Sequence, residues 1–259
     1  MKVLLPSHGI FGQKSVKLRI PTFGDLHEMQ AYNPDPIMRK YHFVEILSDV
    51  DFTKVTAMDV EYLYMLATFS LIFNTARYSC TCAKCGEKLT KNVKLTELDI
   101  IELHISKDKL PYHKRVKGTK YSYNILTAQQ VLDAYDWAQY EDNSETSFED
   151  AQVAFIMGKE LSDVEWVKKL PVSIYLSAFL LQKIHYHGLS CKSSVQCFKC
   201  GQVNNFTFSI GTKIIDYDVD RMMSKFASVC DSISFEDFMK MSIVDFNSFV
   251  SALNNRLNG

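Results

Sequence analysis

The pattern of hydrophobic and polar positions occurs twice along the 259-residue chain. In each half, a short extended segment leads into two helical stretches, a longer apolar helix, a strand, a turn with two cysteines and a second strand. The residues predicted to form the buried face of the first apolar helix are Val60, Leu63, Ala67 and Leu71. Those predicted to face inward on the second are Val172, Leu176, Phe179 and Leu180. This order predicts an α+β fold made of two related helix–strand–zinc-knuckle units that arose by internal duplication.

The repeat divides the chain into three parts. The first unit is predicted to cover residues 1–110 and the second 111–215. Residues 216–259 have no counterpart in the first unit and are predicted to form a C-terminal helical extension. The two units meet at a basic segment, 106–120. Such a charge run favours a solvated linker, with a nucleic-acid-binding patch as the alternative.

Three polar clusters mark predicted helix starts. Thr56 with Asp59 precedes the first apolar helix, and Ser234 with Asp237 forms a capping box in the C-terminal part. The acidic segment 140–150 is predicted to be a loop that caps the next helix through Ser147.

The composition is typical of a globular protein with a sizeable core, since 47% of the residues are hydrophobic and 23% are charged. The formal net charge of −1 provides no bulk attraction to nucleic acid or to an anionic membrane. The apolar start of the chain is too short for a signal peptide, and the longest apolar stretch is too short to span a bilayer. We therefore expect a protein of the cytoplasm, or of a particle assembled there, in which cysteines stay reduced.

Each cysteine turn has the pattern Cys-x-x-Cys-Gly. This spacing lets two thiolates converge on one ion, and the glycine permits the chain reversal. The most economical prediction is one structural Zn²⁺ shared by the two turns. Its predicted ligands are Cys82, Cys85, Cys197 and Cys200.

Two alternatives to the shared site remain open. Two separate sites would each need a further ligand, for which His104 and His187 are candidates, and Cys80 and Cys191 lie close to the turns in sequence. The third possibility is that no metal binds. A four-thiolate site leaves no open coordination position, so the predicted zinc is structural rather than catalytic.

The sequence contains no nucleotide-binding glycine loop and no nucleophile elbow. The segment HYHG at 185–188 lacks the glutamate of a zinc deaminase, and neither cysteine pair follows a proline. We therefore predict that the chain is not an enzyme and has no catalytic residues.

The order of the motifs resembles the baseplate hub proteins of T4-like contractile-tailed bacteriophages. Its first element is LLPSHGIFG followed by VKLRIPTFGDLHEM, where that family has a Leu-Pro-Ser-x-Gly segment, a strand and a helix. The family's central Asp-x-x-Tyr-Leu helix is matched by Asp59, Tyr62 and Leu63, and its two cysteine turns by CAKCG and CFKCG. The resemblance covers about residues 3–210, and the chain departs from it at HGIFG.

The resemblance implies a structural component of a phage tail baseplate in the hub region. It further implies other baseplate and tail proteins as partners in a multi-copy heteromeric assembly, and a location in the virion after assembly in the host cytoplasm. Neither a membrane nor nucleic acid is an expected partner. The alternatives are a hub assembly chaperone that is not retained in the virion, and a zinc-ribbon protein that binds nucleic acid.

Overall fold

The computed structural model describes most of the chain as a mixed α+β structure with helices packed beside small sheets. The described residues are 1–32, 35–71, 75–94, 97–116, 118–141, 144–207, 224, 234–246, 248–249 and 252. Most of the predicted C-terminal helical extension over 216–259, including Cys230, lies outside the described residues. Within the described part, no helix has both the length and the apolar character needed to cross a membrane.

The described helices and strands have the following bounds, each numbered in chain order. The helices are α1 (Phe23–Tyr32), α2 (Pro36–Leu47), α3 (Ala57–Leu71), α4 (Ala128–Glu141), α5 (Glu145–Ile156), α6 (Val164–Val167), α7 (Val172–Ile184) and α8 (Phe235–Lys240). The strands are β1 (Lys2–Leu4), β2 (Ser15–Lys17), β3 (Thr75–Thr81), β4 (Lys88–Lys94), β5 (Ile100–Ile101), β6 (Tyr112–Val116), β7 (Thr119–Tyr123), β8 (Gly188–Leu189), β9 (Lys192–Gln196) and β10 (Val203–Thr207).

The described strands form antiparallel pairs rather than one large sheet. The pairs are β1 with β2, β3 with β4, β5 with β8, β6 with β7, and β9 with β10. The β5–β8 pair joins the two predicted units, because Ile100 lies opposite Leu189. A single bridge between Thr56 and Thr127 makes a second backbone connection between them.

The two halves have a similar order of elements, except that α6 and β8 of the second half have no described counterpart in the first. The first consists of the β1–β2 pair, α1, α2, α3 and the β3–β4 hairpin, and the second of the β6–β7 hairpin, α4, α5, the short α6, α7 and the β9–β10 hairpin. This is the order that the sequence pattern predicted. Both halves contribute to the largest buried cluster, in which Phe43 and Leu63 of the first half and Ile156 and Ile174 of the second are fully buried.

The predicted buried face of α3 is confirmed where it is described. Val60, Leu63 and Ala67 are 0–1% exposed, and the side chain of Leu71 lies outside the described residues. The start of α3 is also as predicted. The Thr56 hydroxyl accepts a hydrogen bond from the Asp59 amide at 3.0 Å, and the Asp59 carboxylate accepts one from the Thr56 amide at 3.0 Å. This reciprocal pair satisfies two donors that the helix itself leaves without partners.

The predicted buried face of α7 is wrong at three of its four positions. Val172, Leu176 and Leu180 are exposed, whereas Ile174, Ala178 and Leu181 are buried. The fourth position, Phe179, is half-buried. Nine of the 13 residues of this helix are apolar and they occur on all sides of it, so the hydrophobic periodicity does not define one face. The packing of the small Ala178 against the core selects the opposite side of the helix.

Two further local predictions need correction. The cap of α5 is Ser144, whose hydroxyl accepts a hydrogen bond from the Ser147 amide at 3.1 Å, so the helix begins before Ser147. The described residues of the basic segment 106–120 are mostly exposed, as predicted for a solvated segment, but they have regular secondary structure that a linker would lack. They form a 3-10 turn at Lys107–Lys109, followed by the β6–β7 hairpin.

The described C-terminal residues pack on the first half of the chain. The Phe23 ring of α1 stacks on Phe238 of α8 with centroids 4.5 Å apart, and its ring meets the edge of Phe246 at 5.1 Å. The Phe23 amide donates to the Met241 carbonyl, and Thr22 forms a bridge with Ser242. The predicted helix start at Ser234 is confirmed here, because the Ser234 hydroxyl accepts a hydrogen bond from the Asp237 amide at 3.1 Å.

Candidate metal centre

The first cysteine turn connects β3 to β4. The Cys82 amide donates to the Glu87 carbonyl at 2.8 Å, and the Gly86 amide donates to the Cys82 carbonyl at 3.0 Å. These bonds close the turn and direct both cysteine side chains to one side. Gly86 has a φ of +73°, a left-handed conformation that side chains with a Cβ rarely adopt.

The second cysteine turn repeats this geometry between β9 and β10. The Cys197 amide donates to the Gln202 carbonyl at 2.8 Å, and the Gly201 amide donates to the Cys197 carbonyl at 2.9 Å. Gly201 has the same φ of +73°. Both turns therefore have one backbone conformation, at positions 115 residues apart in the chain.

The two turns bring four thiols together. The Sγ atoms of Cys82 and Cys200 are 3.7 Å apart, and those of Cys85 and Cys197 are 3.6 Å apart. All four sulfur atoms lie within 4.8 Å of one another. Each short distance joins the first cysteine of one turn to the second cysteine of the other. The two short sulfur–sulfur distances are therefore equivalent under a symmetry that interchanges the two turns.

The four sulfurs fit a tetrahedral metal ion. Zn–S bonds of about 2.3 Å in a regular tetrahedron place neighbouring sulfurs about 3.8 Å apart, close to the two short distances. A disulfide would require about 2.05 Å, and all four cysteines are free. The cluster can therefore hold one metal ion such as Zn²⁺. With four thiolates bound, no position on such an ion would remain for water or a substrate.

The surroundings of the sulfurs affect their ionisation. Hydrogen bonds from the backbone amides of Cys85 and Lys84, together with one from the side chain of Asn204, lower the pKa of the Cys82 thiol to about 6. The Glu87 amide also favours a thiolate at Cys85, but desolvation and the three neighbouring cysteine sulfurs raise the pKa of Cys85 to about 12. Four thiolates so close together repel one another, so their joint ionisation requires a cation between them.

Asn204 connects the second hairpin to the first cysteine turn. Its Oδ1 accepts a hydrogen bond from the Ala83 amide at 2.9 Å, and its Nδ2 donates to the Cys82 Sγ at 3.6 Å and to the Gln202 carbonyl at 3.0 Å. The residue is 8% exposed. Its equivalent in the first hairpin is Leu89, which has no polar side-chain atom. Asn204 therefore orients one ligand only, and the prediction from sequence missed it.

The remaining candidate ligands lie elsewhere. Within the part of the chain that the structure describes, the only group of three or more potential ligands is the four-cysteine cluster. His187 is buried beside Thr56, although the two residues are 131 positions apart in the sequence. Its Nε2 lies 2.6 Å from the Thr56 hydroxyl oxygen. Its Nδ1 lies 2.8 Å from the His185 carbonyl. Cys191 contacts Met65, and His104 is exposed in the loop after β5.

The cysteine turns have only a small apolar core of their own. Cys82, Leu89 and Cys197 are buried there, with Cys80 and Val195 packed at its edge. This cluster is separate from the main core. So few apolar side chains stabilise a pair of hairpin ends weakly, and a bound metal ion would add a further connection between them.

Comparisons with known proteins give no relative for this chain. No family model matches it, and neither a curated protein nor a solved structure matches it. The site therefore has to be interpreted from its own geometry and from the sequence motifs.

Proposed function

We propose that the chain is a non-enzymatic structural component of a phage tail baseplate, in the hub region, with one structural zinc ion joining its two halves. The observation that carries the proposal is the convergence of Cys82, Cys85, Cys197 and Cys200 from two separate hairpins. A closed four-thiolate site connects parts of a fold, and the order of the sequence motifs resembles that of the baseplate hub proteins.

The common architecture of the halves supports their origin by duplication. Thr81 pairs with Lys88 in the first hairpin, and Gln196 pairs with Val203 in the second. Every member of the second pair is 115 positions after its counterpart, as are the cysteines and the turn glycines. A duplicated unit with a pseudo-twofold arrangement accounts for two identical turns that face each other.

Zinc is the metal that best fits this donor set. Thiolate ligands favour zinc, cuprous copper and iron–sulfur clusters, and four thiolates in a tetrahedron are typical of a structural zinc site. Such a site contributes on the order of 10 kcal/mol to folding in small domains. In this chain it would fix two hairpins whose own apolar core is small.

Quantitative mass spectrometry of purified tailed particles, from the virus that encodes the chain, tests the proposed role. A baseplate component is expected at a fixed number of copies per particle. Abundance in infected cells together with absence from particles would contradict it and would favour the hub assembly chaperone. Steeply salt-dependent binding to DNA or RNA by such an absent protein would favour the nucleic-acid-binding alternative.

A further inference from the structure

Helix α7 exposes a continuous apolar stripe. Val172, Leu176, Leu180 and Ile184 are 73%, 58%, 55% and 65% exposed. They follow one another at intervals of four residues, so they lie along one side of the helix. The stripe extends over about 18 Å at 1.5 Å per residue. Contiguous exposed apolar surface of this kind marks interaction sites.

The β6–β7 hairpin turns one end of this stripe into a groove. Lys114 of β6 donates a hydrogen bond to the Ser177 hydroxyl of α7 at 3.2 Å, which holds the hairpin beside the helix. The groove has a volume of about 420 Å³, and its apolar walls include Ile105, Tyr112, Leu180 and Ile184. The Tyr123 hydroxyl is buried beneath it and has no hydrogen-bond partner among the described residues.

The charged side chains in the described lining of the groove have one sign. Lys109 and Lys114 line the groove, and neither aspartate nor glutamate is among its described lining residues. Lys183 is exposed on α7 beside Ile184. Ammonium groups at the edge of an apolar groove favour a partner with carboxylates beside its apolar face.

The length and charge of the surface decide between possible occupants. A small molecule would fill the groove but leave Val172 and Leu176 exposed, because neither lines it. A second copy of the chain that placed its own groove against this groove would bring the same lysines towards one another, and this repulsion disfavours that pairing. An amphipathic helix covers a stripe of about 18 Å with roughly three turns.

We propose that this stripe and groove bind an amphipathic helix of another protein, with an apolar face on Leu176, Leu180 and Ile184 and acidic residues towards Lys109 and Lys114. The inference deepens the structural role proposed above and rests on it for the expectation that the partner is a tail protein. It does not depend on the metal centre, which is formed by other hairpins.

Selection from a displayed library of randomised 18-residue helical peptides tests the proposal, with the full-length, zinc-loaded chain as bait. The expected binders carry apolar residues at intervals of three and four with Asp or Glu at the flanks. Leu180→Ser and Lys114→Glu should each weaken these binders at least tenfold. Tyr140→Ser, which removes an 89% exposed side chain on α4, is the matched control and should leave binding unchanged.

Three results would overturn the proposal. The first is the absence of any enrichment over the Leu180→Ser bait, provided that this variant keeps the wild-type melting temperature. The second is enrichment of binders with basic flanks. The third is a wild-type dimer in sedimentation that Leu180→Ser dissociates, because a second copy would then occupy the stripe. Each of these leaves the particle measurement unaffected, so failure here is distinguishable from failure of the baseplate role.

Discussion

Replacement of Asn204 by leucine tests whether the second hairpin orients a ligand of the first cysteine turn. The variant places in the second hairpin the residue type that Leu89 provides in the first. It removes the hydrogen bond to the Cys82 sulfur and leaves the Ala83 amide without its side-chain acceptor. The backbone hydrogen bonds that close each turn should remain, because none of them is made by this side chain.

The expected effect on metal affinity follows from these two contacts. A hydrogen bond to a charged group contributes about 1.5–3 kcal/mol. Loss of a group that orients a metal ligand commonly weakens metal binding by about 10–100-fold, equivalent to about 1.4–2.8 kcal/mol. We therefore expect Asn204→Leu to raise the dissociation constant for Zn²⁺ by one to two orders of magnitude without changing the number of ions bound.

Competition with a chelator of known zinc affinity measures this change, and the absorption of the Co²⁺-substituted protein reports whether four thiolates still bind. Asn205→Leu is the matched control, since the neighbouring side chain is exposed on the other face of β10. An affinity of Asn204→Leu within twofold of wild type would refute the assigned role of Asn204.

Two further predictions concern the fold. Burial lowers the pKa of His187 in the folded chain. As the pH falls below about 6.5, the unfolded chain therefore binds the proton before the folded chain does. The free energy of unfolding then decreases by at most about 1.4 kcal/mol per pH unit. The free energy of unfolding, measured with urea at pH 7.5, 6.5 and 5.5, should therefore decrease less towards acid pH in His187→Gln than in the wild type. Parallel pH dependences of the two proteins would contradict this. Phe238→Ala should cost about 3–5 kcal/mol and speed amide hydrogen exchange in residues 234–246. Phe235→Ala, which alters a 54% exposed ring on the same helix, is the control, and equal effects would contradict the role of the aromatic cluster.

Local signals in the sequence were sufficient for the helix order and for the helix starts at Thr56 and Ser234. Thr56 and Asp59 form a capping box whose partners are three residues apart, so no distant contact is needed to predict it. The cysteine turns are equally local, because Cys-x-x-Cys-Gly defines its own backbone geometry. Their pairing into one cluster followed from the repeat, since equivalent turns of related units can meet across a twofold axis.

The features that the sequence could not provide depend on contacts between distant residues. The exposed side of α7 was predicted to be buried, because a helix that is apolar on most sides has no unique face until Ala178 and Leu181 meet the core. Asn204 was missed for the same reason. Only the approach of the second hairpin to Cys82 distinguishes it from an ordinary polar residue on a strand.

The position of the N-terminal arm, Leu4 to Phe11, also depends on distant contacts. The Ser7 amide donates to the buried Asp59 carboxylate at 3.2 Å, and the Leu103 amide donates to the Pro6 carbonyl at 2.9 Å. Ile10 packs with Leu103 in a small cluster. The arm is thus docked on its own chain, although its apolar sequence alone fits a partner contact equally well.

Native mass spectrometry of the metal content of the wild-type protein and of Cys82→Ser and Cys197→Ser tests the shared metal centre most directly. The account predicts one zinc ion per wild-type chain and its loss in both variants, because each half supplies two of the four ligands. Two ions in the wild type, or one ion retained when either turn is altered, would contradict a single centre that joins the halves.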